Sequence, residues 1–239
     1  MTYNISAFTH KGTGIYESNE DRVLINGWLL DDGEYTLKNV DSLTCFVADG
    51  VGGKQGGSHA AEFVLTKIKN IEPDRFNGFV EILKSINLEL IDSTSNIPSL
   101  KGCACTLSGI ISTPELTDFY HIGDTELWLL RDDMFMKITK DEVLNEDNWR
   151  SPITNYFGGD ENNLEIDTDW VKPDILPKDL YMMCSDGLFK SLNVKLIKPI
   201  LASDKTLEEK ILKLKENTLS LGSDDNVSVV LIEVTEANE

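Results

Sequence analysis

At 239 residues, with 41% hydrophobic and 26% charged positions, the chain is long enough to bury the core of one ordinary domain. Its formal net charge of -19, from 41 acidic against 22 basic residues, repels phosphate backbones and anionic lipid and argues against a nucleic-acid or membrane-surface role. No signal-like start or bilayer-length apolar run is present, and Cys45, Cys103, Cys105 and Cys184 show no zinc-binding spacing, so a cytoplasmic protein is expected. In chain order, residues 3–9 alternate as a strand, and 23–30 with 35–40 read as a hairpin around Asp31-Asp32-Gly33. Residues 43–48 suit a buried strand. Apolar residues three and four apart predict helices over 58–71 and 75–91, the second capped by Asp74. Residues 103–111, 116–122, 126–131 and 134–138 then read as a four-strand meander. A strand over 180–184, helices over 194–201 and 207–219, and a strand over 227–234 complete the pattern. Strands and helices in blocks, without βαβ alternation, predict an α+β sandwich of stacked antiparallel sheets flanked by helices.

Short acidic motifs punctuate these elements: SNEDR (18–22), FVADGVGG (46–53), MCSDGL (183–188) and SDDNVSVVL (223–231). Three of them set an aspartate at one end of a strand-like run, at or beside a Gly or Asn turn. Strand ends are rigid, and such turns let backbone approach a ligand closely. Carboxylates gathered in this way need a cation to hold them together, and all-oxygen donors select Mg²⁺ or Mn²⁺ over Zn²⁺. The pattern points to a divalent-metal hydrolase. A single Asp-Gly is ordinarily a turn, and Asp32-Gly33 is read as one. Gly52, Gly53, Gly56 and Gly57 are followed by no GK[ST], so they read as a tight strand-to-helix passage rather than a phosphate loop. His10, His59 and His121 are scattered and no cysteine sits in a phosphate-cradling loop, so no side-chain nucleophile is offered.

Taken in order, NED, ADGVGG, GDT, SDGL and DDNVSVV resemble the motifs of the metal-dependent protein phosphatase family, the protein phosphatase 2C-like serine/threonine phosphatases. The small bacterial single-domain members are most similar, and the resemblance runs from about residue 3 to 234. It implies an α-β-β-α sandwich and a single phosphatase domain over 1–239. It also implies two Mn²⁺ or Mg²⁺ ions, bridged by Asp49 with the Gly50 carbonyl as a further ligand, and completed at the first ion by Asp186 and Asp225. Glu20 and Asp21 would act with Asp49 in catalysis, chiefly through metal-bound waters, while Asp124 would bind a looser third ion. Two such ions, about 4 Å apart, activate a water for in-line attack on phosphorus. The implied substrates are phosphoserine and phosphothreonine proteins, with a cognate Ser/Thr kinase as the opposing activity and a monomeric enzyme.

Departures from the family pattern bear on substrate and third ion. Tyr16 stands where an arginine usually grips the phosphate, and it supplies neither charge nor a bidentate fork. Arg22, Lys54 and Lys190 are the other candidate substrate contacts. GDSR reads GDTE, with Glu126 replacing arginine, and Cys103-Ala104 replaces the usual Gly-Thr-Thr. Lys190 replaces an aspartate four residues after the SDGL aspartate, so the third site is expected empty or weak, with the ammonium pairing Asp124 or pointing into solvent. The flap over 139–157 is short. A phosphatase-like regulatory binding module and a phosphatase for a non-protein ester are the alternatives.

Overall fold

The computed structural model describes residues 1–14, 17–51, 56–72, 76–114, 116–145, 151–159, 164–167 and 170–236. Two antiparallel sheets lie face to face. One has six strands in the order β11-β10-β13-β14-β1-β4, with β1 at Thr2–His10, β4 at Gly33–Val40, β10 at Glu126–Arg131, β11 at Met134–Lys137, β13 at Leu180–Cys184 and β14 at Val227–Thr235. The other has five in the order β3-β2-β5-β8-β9, with β2 at Arg22–Ile25, β3 at Trp28–Leu30, β5 at Leu43–Ala48, β8 at Leu107–Ser112 and β9 at Thr117–Ile122. A small ladder joins β6 (Gly50–Val51), β7 (Ala104–Cys105) and β12 (Phe157–Gly158).

Side chains alternate across a strand, so a strand covered on both faces must be apolar at nearly every position. β14 meets that demand: Val230, Ile232 and Val234 face the opposing sheet, while Val227, Val229 and Leu231 face helices. Helices α1 (Gly56–Lys69) and α2 (Phe79–Thr94) cover the five-stranded sheet, with Val64, Leu65 and Leu83 packed on Leu24 and Phe46. Helices α3 (Gly187–Ser191), α4 (Val194–Leu201) and α5 (Leu207–Ser220) cover the six-stranded sheet, where Ile197, Ile211 and Leu214 meet Phe8 and Met182. The expected α-β-β-α layering is therefore observed, with an apolar layer at each of its internal faces.

Local pairing departs from the sequence reading in two places. The expected hairpin around Asp31-Asp32-Gly33 is absent; β2 pairs instead with β3, Val23 opposite Leu30. Its turn is Asn26-Gly27, with φ of 43° and 87°, the left-handed pair that Asn-Gly adopts readily. The chain then crosses to the other sheet, where β4 pairs with β1. The expected meander is likewise split: β8 pairs with β9 in one sheet and β10 with β11 in the other. The crossing is at Gly123-Asp124-Thr125. Gly123 has φ 98°, and Thr125 is tied back to β8 because Ser108 Oγ donates to its carbonyl and receives its hydroxyl. α2 begins after Gly78 rather than at residue 75, without a side-chain cap, and Asp74 lies outside the described residues.

Packing between β5 and β8 depends on one missing side chain. Phe46 stands opposite Gly109, and its ring reaches Phe79 and Tyr120 at centroid distances of 5.8 and 6.3 Å. A Cβ on Gly109 would lie 1.9 Å from that ring. Gly109→Ala is expected to cost about 1–3 kcal/mol of unfolding free energy by displacing Phe46, to be read as a lowered urea midpoint at unchanged slope.

Candidate metal centre

Strand register brings the acidic motifs together. Arg22 pairs with Ala48 between β2 and β5, which sets Asp21 beside Asp49 at the same rim of the five-stranded sheet. Cys184 pairs with Val229 between β13 and β14, so Asp186 and Asp225 leave the six-stranded sheet side by side. Asp124 arrives from the crossing between β9 and β10. Backbone packing keeps these ends in place. The Asp49 amide donates to Thr106 Oγ1 at 3.2 Å, and the Thr106 amide donates to the Asp49 carbonyl at 2.9 Å. α3 rests so closely on the Asn226 carbonyl that a Cβ on Gly187 would lie 1.9 Å from it.

Glu20, Asp49, Gly50, Asp124, Asp186, Asp225 and Lys190 all line one cavity of about 160 Å³, together with Val51, Ile153 and Asn226. A larger cleft of about 810 Å³, running along Thr139–Val143 to Trp170, shares none of these residues. Burial, reinforced by Asp21, Asp186, Asp124 and Asp225, holds the Asp49 carboxyl well above the usual carboxylate range. Burial and then Asp186 and Asp141 push Asp124 up to about 7, against the pull of Lys190. Glu20 is raised by burial and by Asp225. Asp186 is raised by burial, with Lys190 opposing. Among the described residues the cavity wall carries five carboxylates against the one ammonium of Lys190.

Asp21 is fully buried and does not line the cavity. Its Oδ2 accepts the hydroxyls of Ser185 at 2.7 Å and Ser228 at 2.8 Å, while its Oδ1 has no hydrogen-bond partner. Burial raises its carboxyl to about 7 despite those hydroxyls. Arg22 is placed elsewhere than the cavity. One guanidinium nitrogen donates to the carbonyls of Asn19 and Asp21 and the other reaches Glu62 at 3.4 Å, so it braces the loop before β2. Tyr16 and Lys54 lie outside the described residues. Lys190 pairs neither with Asp124 nor with solvent alone. Its ammonium lies 2.5 Å from Asp186 Oδ2 and also bonds Asp225 Oδ2, because one helical turn separates it from Asp186. Within the segment 139–157 expected to form a flap, Val143 pairs with Ile153, which reaches the cavity wall.

The sequence reading gave no role to Asn226, Ser185, Ser228 or Thr106. Asn226 Oδ1 accepts the Glu20 amide at 2.8 Å and its Nδ2 donates to the Lys11 carbonyl, so it fixes the approach of the Glu20 loop. Asn226 and Ser185 stand inside the acidic motifs, next to Asp225 and Asp186.

The donors suit a hard divalent cation: all are oxygens, and buried Asp21 Oδ1 is an acceptor with nothing to accept. As the side chains stand, no three His, Cys, Asp or Glu groups among the described residues are close enough together to hold an ion, so binding one requires them to draw in.

Replacing one of these carboxylates relieves repulsion. In EDTA at pH 8, Asp49→Asn is expected to gain about 1 kcal/mol, or about 2–4 °C in melting temperature. A raised folded pKa means that the penalty is absent below the unfolded-state pKa and grows as pH rises. The gain should therefore shrink as pH is lowered toward 5, and paired calorimetric scans check it.

No family model matches the chain. It is 26% identical to the serine/threonine phosphatase stp of Listeria monocytogenes (serotype 4b, strain F2365) over 240 residues, covering 91% of this chain and 94% of that protein. The crystal structure of the Mycobacterium tuberculosis serine/threonine phosphatase PstP/Ppp superposes with a TM-score of 0.79 at 24% identity, over 99% of this chain and 100% of that one. The catalytic domain of PstP in complex with two manganese ions gives a TM-score of 0.78 at 24% identity, over 98% and 100%. Along nearly its whole length the chain is similar to bacterial serine/threonine phosphatases of the PPM, protein phosphatase 2C-like, family, and it has their fold.

Proposed function

We propose that this protein is a metal-dependent phosphoprotein phosphatase, hydrolysing phosphoserine and phosphothreonine esters with Mn²⁺ or Mg²⁺. The observation that carries the reading is the gathering of Glu20, Asp49, Asp124, Asp186 and Asp225 around one cavity from separate strand ends. The phosphatase names of the relatives and the two manganese ions of the PstP complex support it. In this reading Asp49, Asp186 and Asp225 would hold the ion pair, with the Gly50 carbonyl as a further ligand, and Asp124 would be left for a weak third ion. When bound, the ion pair supplies an activated water and screens phosphoryl charge.

The chain's own residues then fix positions. Ser185 and Ser228 clamp one oxygen of Asp21 and leave the other free to orient water. Asn226 sets Glu20 by gripping its backbone amide. No thiol competes as nucleophile: all four cysteines are buried, and burial pushes Cys105 and Cys184 well above the ordinary thiol range. Among the described residues Lys190 is the basic side chain that lines the cavity, and Tyr16 in place of the usual arginine supplies no bidentate fork for the phosphate. A single domain with a shortened flap, a monomeric state, a cytoplasmic location, a signalling role and a cognate Ser/Thr kinase belong to the same proposal. No helix among the described residues is long and apolar enough to cross a membrane.

Manganese-dependent hydrolysis of p-nitrophenyl phosphate and of phosphoserine or phosphothreonine peptides is the test. Turnover should fall by about a hundredfold or more in Asp49→Asn, a loss of roughly 3 kcal/mol in transition-state stabilisation. Undiminished hydrolysis by the folded variant would refute the assignment. Hydrolysis of small esters but not of phosphopeptides would favour a non-protein substrate, and no turnover with intact metal binding would favour a regulatory binding module.

A further inference from the structure

The ammonium of Lys190 does more than line the cavity. It lies 2.5 Å from Asp186 Oδ2 and is hydrogen-bonded to Asp225 Oδ2, bridging the carboxylates that leave adjacent strands β13 and β14. The other oxygen of Asp225 is already taken, since Oδ1 accepts the Asn226 amide at 2.8 Å. Both oxygens of Asp225 are therefore engaged by the protein itself. The root of the lysine is fixed as well. Leu188 is fully buried, Phe189 stacks on Trp128 at 5.2 Å, and α3 is pressed onto the Asn226 carbonyl through Gly187. The ammonium is thus delivered from a rigid turn, and among the described residues it is the only basic group at the cavity wall.

We propose that Lys190 is a tethered competitor for the divalent cation, bridging Asp186 and Asp225 in the metal-free protein and yielding them only when an ion binds. The inference rests on the metal reading above and adds to it that binding is an exchange of cations. An ion entering between these carboxylates must break the two charge-assisted hydrogen bonds that Lys190 makes to them. The tether lowers metal affinity and, in return, relieves carboxylate repulsion when no metal is present. Loading would then follow the free Mn²⁺ or Mg²⁺ concentration instead of being saturated at trace levels.

Calorimetric titration of EDTA-stripped protein with Mn²⁺, for wild type, K190Q and K190R, tests this directly. K190Q should bind at least about tenfold more tightly, because the competing charge is gone, while K190R should stay near wild type. Without metal K190Q should melt below wild type, and Mn²⁺ should raise its melting temperature further. K190A reads the same difference if the glutamine variant does not fold. Equal or weaker Mn²⁺ binding by the charge-removing variants, in an enzyme whose wild type binds Mn²⁺ and hydrolyses p-nitrophenyl phosphate, overturns the competitor alone. A wild type that neither binds Mn²⁺ nor hydrolyses the ester overturns the phosphatase reading and the competitor with it.

Discussion

Like-charge repulsion at one rim of the sandwich is the constraint around which this fold is organised. Asp49 feels Asp21, Asp186, Asp124 and Asp225, and no local preference of the chain would assemble such a group. What assembles it is register. β2 against β5 fixes Asp21 beside Asp49, β13 against β14 fixes Asp186 beside Asp225, and Thr106 holds the Asp49 backbone through its amide and carbonyl. The apolar layers on both faces of both sheets supply the stability against which this electrostatic cost is set. Function and strain occupy the same rim because the site needs crowded charge.

Much of this was legible in the sequence, for identifiable reasons. Strands covered on both faces read as near-continuous apolar runs, so β5, β13 and β14 could be placed within a residue or two. Asp49, Asp186 and Asp225 each sit beside such a run, whereas Glu20 and Asp124 are legible only through the resemblance to the phosphatase motifs. Sheet membership could not, because it is decided by distant packing. β9 and β10 look like neighbours in a meander, and only Gly123 and the Ser108–Thr125 hydrogen bonds turn the second strand into the opposite sheet. Asn26-Gly27 is a stronger turn signal than Asp31-Asp32-Gly33, and it divides the run 23–30 that reads as a single strand.

The basic residues were the least legible part. Arg22 stands next to Asp21 in sequence, yet alternation along β2 sends its guanidinium to backbone carbonyls and Glu62. The motif alone leaves Lys190 either pairing with Asp124 or pointing into solvent. Its spacing of four residues from Asp186 on a helix already favoured that partner on geometric grounds alone. Long cationic side chains take their partners from three-dimensional neighbours, and a motif reports only the backbone position.

The placement of β14 also has a kinetic consequence. It lies between β13 and β1, paired with β1 from Thr2 opposite Thr235 to His10 opposite Val227, so the first described strand cannot complete its pairing until the last has been made. Asp225 immediately precedes that strand. Closing so large a loop before any contact rewards it is entropically slow, which places this chain among high-contact-order folders. During synthesis the rim of carboxylates stays open while the earlier elements can already collapse. The layer that α1 and α2 form on the five-stranded sheet uses no residue of β14 and can form without it, whereas the layer between the sheets, the layer under α4 and α5 and the cation site all wait for that strand.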